Sequence, residues 1–254
     1  MKEKTKYAAV VDVSRKEIDN GKYIRFAADV RFANGAVITK YMDVPPPHTH
    51  TCTQEYNPND DMQLLLVYPT LMTLLNNGDA VLFNGKLTDG LLRGAWATNE
   101  YYNNIATDFH LINIECKNIV PALLPAGACD SVLAYSGGVD ANYSLVSHKR
   151  GLVGAKNTNI RVAVSVCGLA LGMSETDKFN EYAKYQESVL SEYGVDFLPV
   201  FIPQEGPIDL QYMWKLAAAL HLFANVGNFA YGLIGSVGTD YLHIHLSTFA
   251  DNPM

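Results

Sequence analysis

Ten residues constrain this chain more than any others: Ser131-Val-Leu-Ala-Tyr-Ser-Gly-Gly-Val-Asp140. Val132 to Tyr135 form a short apolar run of the length a buried strand uses. The run stops at Ser136-Gly137-Gly138, and after Asp140 the apolar residues Tyr143, Leu145 and Val146 take up helical spacing. Strand, glycine turn and helix together make a device for holding phosphate. Paired glycines let backbone N–H groups approach an anion with no Cβ in the way, and a helix N-terminus adds unpaired donors and the positive end of a dipole. Ser136 offers a hydroxyl at the rim, and Asp140 is placed either to cap the helix or to face a metal ion. The competing account is a plain Gly-Gly turn. Its position between an apolar strand and a helix favours the anion site, because structural context is what gives such a motif its meaning.

Neither common nucleotide pattern is present: there is no G-x-x-x-x-G-K-[ST] and no G-x-G-x-x-G. The residues instead resemble the Ser-Gly-Gly-x-Asp-Ser loop of the N-type ATP pyrophosphatases, the PP-loop superfamily. That group includes the asparagine, GMP, NAD and argininosuccinate synthetases and 7-cyano-7-deazaguanine synthase. Ser136, Gly137, Gly138 and Asp140 match, Val139 takes the variable place, and the pattern departs at Ala141, where the family has Ser. The resemblance covers about half the chain, from Ser136 onward. It implies an adenine nucleotide alpha hydrolase-like fold, with the loop gripping the β- and γ-phosphates of ATP while a substrate oxygen attacks the α-phosphate. The departure at Ala141 implies the loss of one hydroxyl contact to pyrophosphate.

From about residue 121 the pattern is that of a parallel α/β sheet with helices on both faces. Strands are expected at Val132–Tyr135, Ile160–Val166, Phe197–Ile202 and Phe229–Ile234, and helices at Ala141–Lys149, Asp177–Tyr193 and about Asp209–Asn225. In such sheets the ligand crevice lies beyond the carboxyl ends of the strands. By position in the family, Val166 and Cys167 are candidates to lie beside adenine; an ordinary strand exit competes with that reading. After the fourth strand, Gly235-Ser236-Val-Gly238-Thr239-Asp240 resembles the loop that completes many PP-loop sites. Gly235 and Ser236 are nucleotide-binding candidates, and Asp240 joins Asp140 as a candidate catalytic acid. His243 and His245 alternate but make an incomplete metal set. The chain stops at Asp251-Asn-Pro-Met254 in what reads as the middle of a loop, as in a short or truncated family member.

Residues 1–120 read as a smaller α+β domain preceding the nucleotide-binding domain at 121–254. Strands are expected at Tyr7–Val13, Tyr23–Phe32 and Ala36–Tyr41, the last two joined by the hairpin dipeptide Asn34-Gly35. A helix is expected over Met62–Leu75, kinked or split at Pro69, then a strand at Ala80–Phe83, a helix at Asp89–Ile105 and a strand at His110–Glu115. His48-Thr-His50-Thr-Cys52 lies in a Pro/Thr/Asn-rich stretch without metal-finger spacing and reads as an exposed loop.

Charge narrows the partners. A formal charge of -7 with a pI near 5.4 argues against a nucleic-acid surface. No apolar stretch reaches eighteen residues, and the charged start is not followed by a signal-peptide core. The four cysteines never form Cys-x-x-Cys, as expected of reduced thiols in a cytoplasmic protein. The expectation is an ATP- and Mg²⁺-dependent, AMP-forming ligase that adenylates a small molecule, with Lys149 or Lys178 as phosphate partners and a homodimer open. The alternative is a nucleotide-binding module without chemistry, which Ala141 favours.

Overall fold

The computed structural model describes residues 6–47, 54–105, 108–122, 127–203 and 208–235. The first three strands, β1 (Ala9–Ile18), β2 (Tyr23–Phe32) and β3 (Val37–Val44), form an antiparallel meander. The β2–β3 turn is the expected one: Gly35 has φ 90°, and the Asn34 side chain accepts the Ala36 N–H at 2.9 Å. β1 runs beyond its expected end at Val13. Ser14 to Glu17 are exposed and carry no apolar pattern, but their backbone pairs fully with β2.

Two crossover units follow: α1 (Asp61–Leu74), β4 (Ala80–Thr88), α2 (Asp89–Ile105) and β5 (Asn113–Val120). α1 runs through Pro69 without a break, and eleven of its fourteen residues are buried. β5 begins later than expected and continues to Val120 because it follows β4 through the irregularity between Phe83 and Lys86.

The second half alternates as expected: β6 (Asp130–Ala134), α3 (Val139–Lys149), β7 (Asn159–Cys167), α4 (Thr176–Glu192), β8 (Asp196–Phe201), α5 (Ile208–Leu220) and β9 (Phe229–Ile234). α3 starts two residues earlier than its apolar spacing suggests, because Gly138 rather than Asp140 is the N-cap residue. α5 stops at Leu220 and tightens into a 3₁₀ turn at His221–Phe223, and Asn225 then adopts φ 60°.

All nine strands among the described residues belong to one mostly parallel sheet, in the order β5-β4-β1-β2-β3-β8-β7-β6-β9. The expected domain boundary falls in the connection between β5 and β6. Within the sheet the two halves meet at β3 and β8, antiparallel, through the pair Asp43 and Phe201. Helices cover both faces. Leu133, Ala163 and Phe197 pack with Ala141 and Leu145 of α3 and Ala183 and Leu190 of α4. Their strand neighbours Val132, Val162, Val164 and Leu198 pack in a separate cluster with α5 and with α1. Successive strand residues point to opposite faces, so α3 and α4 lie on one side and α5 on the other. The chain winds from β6 through β7 to β8, then returns by α5 to place β9 on the far side of β6. The winding direction reverses beside β6, at the crevice where open α/β sheets bind ligands.

Candidate functional site

At that crevice the chain leaves β6 as Tyr135-Ser136-Gly137-Gly138 and enters α3. Four successive carbonyls of this turn are held by side chains. The Gln186 amide donates to Tyr135 O at 3.4 Å and the Tyr182 hydroxyl to Ser136 O at 3.0 Å. The Asn142 amide donates to Gly137 O at 2.8 Å and Gly138 O at 3.0 Å. Asn142 is fixed in turn by the Tyr135 hydroxyl, which donates to its Oδ1 at 2.7 Å. Burial, with the neighbouring Tyr182, Tyr185 and Tyr193, pushes the Tyr135 phenol up, so it remains a donor at neutral pH. The first helical bond closes from Asn142 N–H to Gly138 O. The N–H groups of Val139, Asp140 and Ala141 therefore have no partner within the helix.

The glycines divide their work. Gly137 has φ 71°, and a Cβ there would lie 2.5 Å from the Tyr182 hydroxyl. Gly138 has an ordinary φ of -73°, and a Cβ would meet only Ser136 Oγ at 3.3 Å. Gly235, just past β9, is the third constraint: a Cβ would come within 2.7 Å of Asp140 O and 2.8 Å of Ser144 Oγ. The end of β9 thus packs directly on the first turn of α3. Ser136 is exposed, and its hydroxyl accepts the Gly138 N–H at 3.3 Å.

A cavity of about 120 Å³ opens beside this turn, with Ser136, Ala141, Val166, Tyr182, Tyr212 and Gly235 among its walls. Ala141 is buried and stands in the wall itself. Val139 is exposed beside it. Asp140 is also exposed, in the first turn of α3, two residues past the N-cap Gly138. Val166 lines the cavity, whereas Cys167 is buried with Phe179 and Phe201, where burial pushes its thiol up. Another wall is the turn Leu169–Leu171. It is fixed by Gly168, whose φ is 103° and whose Cβ would fall 1.7 Å from Ile202 O.

The two lysines are not at the turn. Lys149 sits at the far end of α3, and Lys178 pairs with Glu175 at 2.9 Å. Ser236, Asp240, His243 and His245, like His48, His50 and Cys52, lie outside the described residues. Among the described residues no three His, Cys, Asp or Glu side chains gather as a metal site, and no helix is long and apolar enough to cross a membrane. Tyr135, Tyr182 and Gln186, with Asn142, brace this turn, and the sequence alone assigned none of them that role. Tyr182 and Gln186 stand four apart on one helical face, but only the packing of α4 over the turn gives that spacing a meaning.

No protein-family model matches the chain, and no curated protein or solved structure matches it.

Proposed function

We propose that this turn is a PP-loop and that the protein is an ATP-dependent, AMP-forming ligase. One observation carries the reading: carbonyls 135 to 138 are all tied back by side chains at the N-terminus of α3. Carbonyl lone pairs repel an anion. Holding them away leaves the unpaired N–H groups and the helix dipole to face it. The pyrophosphate part of ATP lies over Gly137, Gly138 and the start of α3, with the base toward Val166 and Leu169–Leu171. A carboxylate or amide oxygen of the second substrate forms a bond to the α-phosphorus. The bond to the bridging oxygen breaks, and pyrophosphate leaves with the electron pair. A nitrogen or sulfur nucleophile then displaces AMP from the adenylate and gives up its proton to solvent or a base.

The chain's contribution is orientation and charge neutralisation, which dominate phosphoryl chemistry. Magnesium ions characteristically use one or two carboxylates plus substrate phosphates, and the exposed Asp140 beside the turn fits that donor set. When bound there, Mg²⁺ supplies charge neutralisation to the phosphates.

The test is calorimetric titration of the protein with pyrophosphate and Mg·ATP, beside product analysis after incubation with a metabolite extract. Binding together with AMP and pyrophosphate is expected. No nucleotide binding, or ADP as product, refutes the reading. One observation favours a second reading, a binding module without chemistry: Ala141 presents a methyl to the cavity where the family places a hydroxyl. Tight binding without pyrophosphate release distinguishes it.

A further inference from the structure

A groove of about 420 Å³ lies on the α5 face of the sheet, within the size range of small-molecule sites. Its walls come from both halves of the chain: Thr88 and Leu91 on one side, and α5, the 3₁₀ turn after it and β9 on the other. Ile234 lines both this groove and the cavity beside the Ser136–Gly138 turn, so the two are neighbours across the carboxyl end of β9.

That adjacency has a stereochemical meaning. Phosphoryl transfer needs the attacking and leaving oxygens roughly in line. With pyrophosphate at the N-terminus of α3, the neighbouring groove on the α5 face is placed to deliver the attacking oxygen from the other side. We propose that the groove holds the substrate that becomes adenylated, an inference that rests on the nucleotide-loop reading above.

The lining states the class of molecule. No lysine or arginine is among the described residues of the wall, and a multiply anionic ligand would lie there uncompensated. The one carboxylate, Asp61, is fully buried and already accepts the Thr88 N–H at 2.9 Å and hydroxyl at 3.0 Å. Most of the surface is apolar; Leu91, Phe223 and Phe229 stand buried in the wall, and Tyr231 is its exposed aromatic ring. His221 is in the wall, and its Nδ1 lies 2.8 Å from Ala217 O. A carbonyl only accepts, so Nδ1 carries a proton, and in that tautomer Nε2 has the acceptor lone pair. The substrate is therefore a monocarboxylate or primary amide with a compact ring-bearing body and one N–H or O–H donor.

The probe is 4-hydroxybenzoate, followed by saturation-transfer NMR on the full chain, with the dianion phthalate as control. The expected result is binding of 4-hydroxybenzoate but not phthalate, unaffected by saturating pyrophosphate. Ala224→Phe, which fills the groove, abolishes that binding, and His221→Phe weakens it about tenfold, the scale of one lost hydrogen bond. Both variants keep pyrophosphate affinity and melting temperature, whereas Gly137→Val loses pyrophosphate and keeps 4-hydroxybenzoate. The proposal is overturned if the wild-type protein does not bind the probe, if pyrophosphate displaces it, or if Ala224→Phe leaves it bound. Wild-type protein that binds the probe and not pyrophosphate refutes the nucleotide reading, and the substrate role of the groove with it.

Discussion

Replacing Asn142 with alanine isolates what the carbonyl brace contributes. Three hydrogen bonds disappear: two to the Gly137 and Gly138 carbonyls and one from the Tyr135 hydroxyl. The glycine carbonyls lie at an exposed turn, where water replaces the lost amide at small net cost. Tyr135 is different. It is 3% exposed, and a buried hydroxyl left without a partner costs about 1–3 kcal/mol. That term decides the outcome, so Asn142→Ala is expected to lower unfolding free energy by about 1–3 kcal/mol. Tyr135→Phe removes the stranded hydroxyl, so the double variant should be less destabilised than the sum of the two singles. Freed carbonyls also turn toward the anion. Losing one well-aimed hydrogen bond to a charged group, about 1.5–3 kcal/mol, weakens pyrophosphate binding about tenfold to a hundredfold. Urea denaturation of the four proteins in the cycle and pyrophosphate calorimetry are the assays. Strict additivity, together with unchanged pyrophosphate affinity in Asn142→Ala, would refute the reasoning.

Gly137→Ala should destabilise by about 1–2 kcal/mol from its left-handed φ alone, while Gly138→Ala stays within about 0.5 kcal/mol; equal effects in thermal unfolding would count against the assignment. Ala141→Ser puts a hydroxyl into the cavity wall and should tighten pyrophosphate binding about tenfold or more, read by calorimetry; an unchanged affinity means no phosphate oxygen comes near. Asp140→Asn should weaken ATP binding more with Mg²⁺ than without it, and equal losses in the two titrations would remove the metal role. Desolvation raises the Asp60 carboxyl above its ordinary 3.8. Its contribution is complete only below that unfolded value and is lost as pH rises through the folded one. Asp60→Asn should therefore melt higher than wild type at pH 7 and lose that advantage below about pH 4; a pH-independent difference would contradict this.

The repeating part of the fold was legible because its causes are local. Val132–Tyr135, Asp89–Ile105 and Asn34-Gly35 each carry their own apolar period or turn chemistry, and each forms what it encodes. Reading failed where a distant partner decides. Ser14–Glu17 is polar yet extended because β2 pairs with it, and β5 reaches Val120 because β4 does. The same division applies to the site. Ser136-Gly137-Gly138 could be found from sequence, but which glycine is indispensable depends on Tyr182, 45 residues further along the chain and brought over the turn by α4. Nothing local to Cys167 says that its side chain packs with Phe179 and Phe201 rather than lining the cavity.

Helix α1 has a consequence for how the chain is made. It is apolar almost all round, and it is buried against β2 on one side and α5 on the other. A ribosome delivers α5 only after everything from Leu74 to Ile208 has emerged, on the order of ten seconds at the usual pace of synthesis. Throughout that interval Tyr68, whose ring ends 5.1 Å from that of Trp214 on α5, lacks that cover. A nascent chain in that condition invites association with its neighbours, and a chaperone that shields short apolar helices should be found on residues 61–74 until α5 arrives.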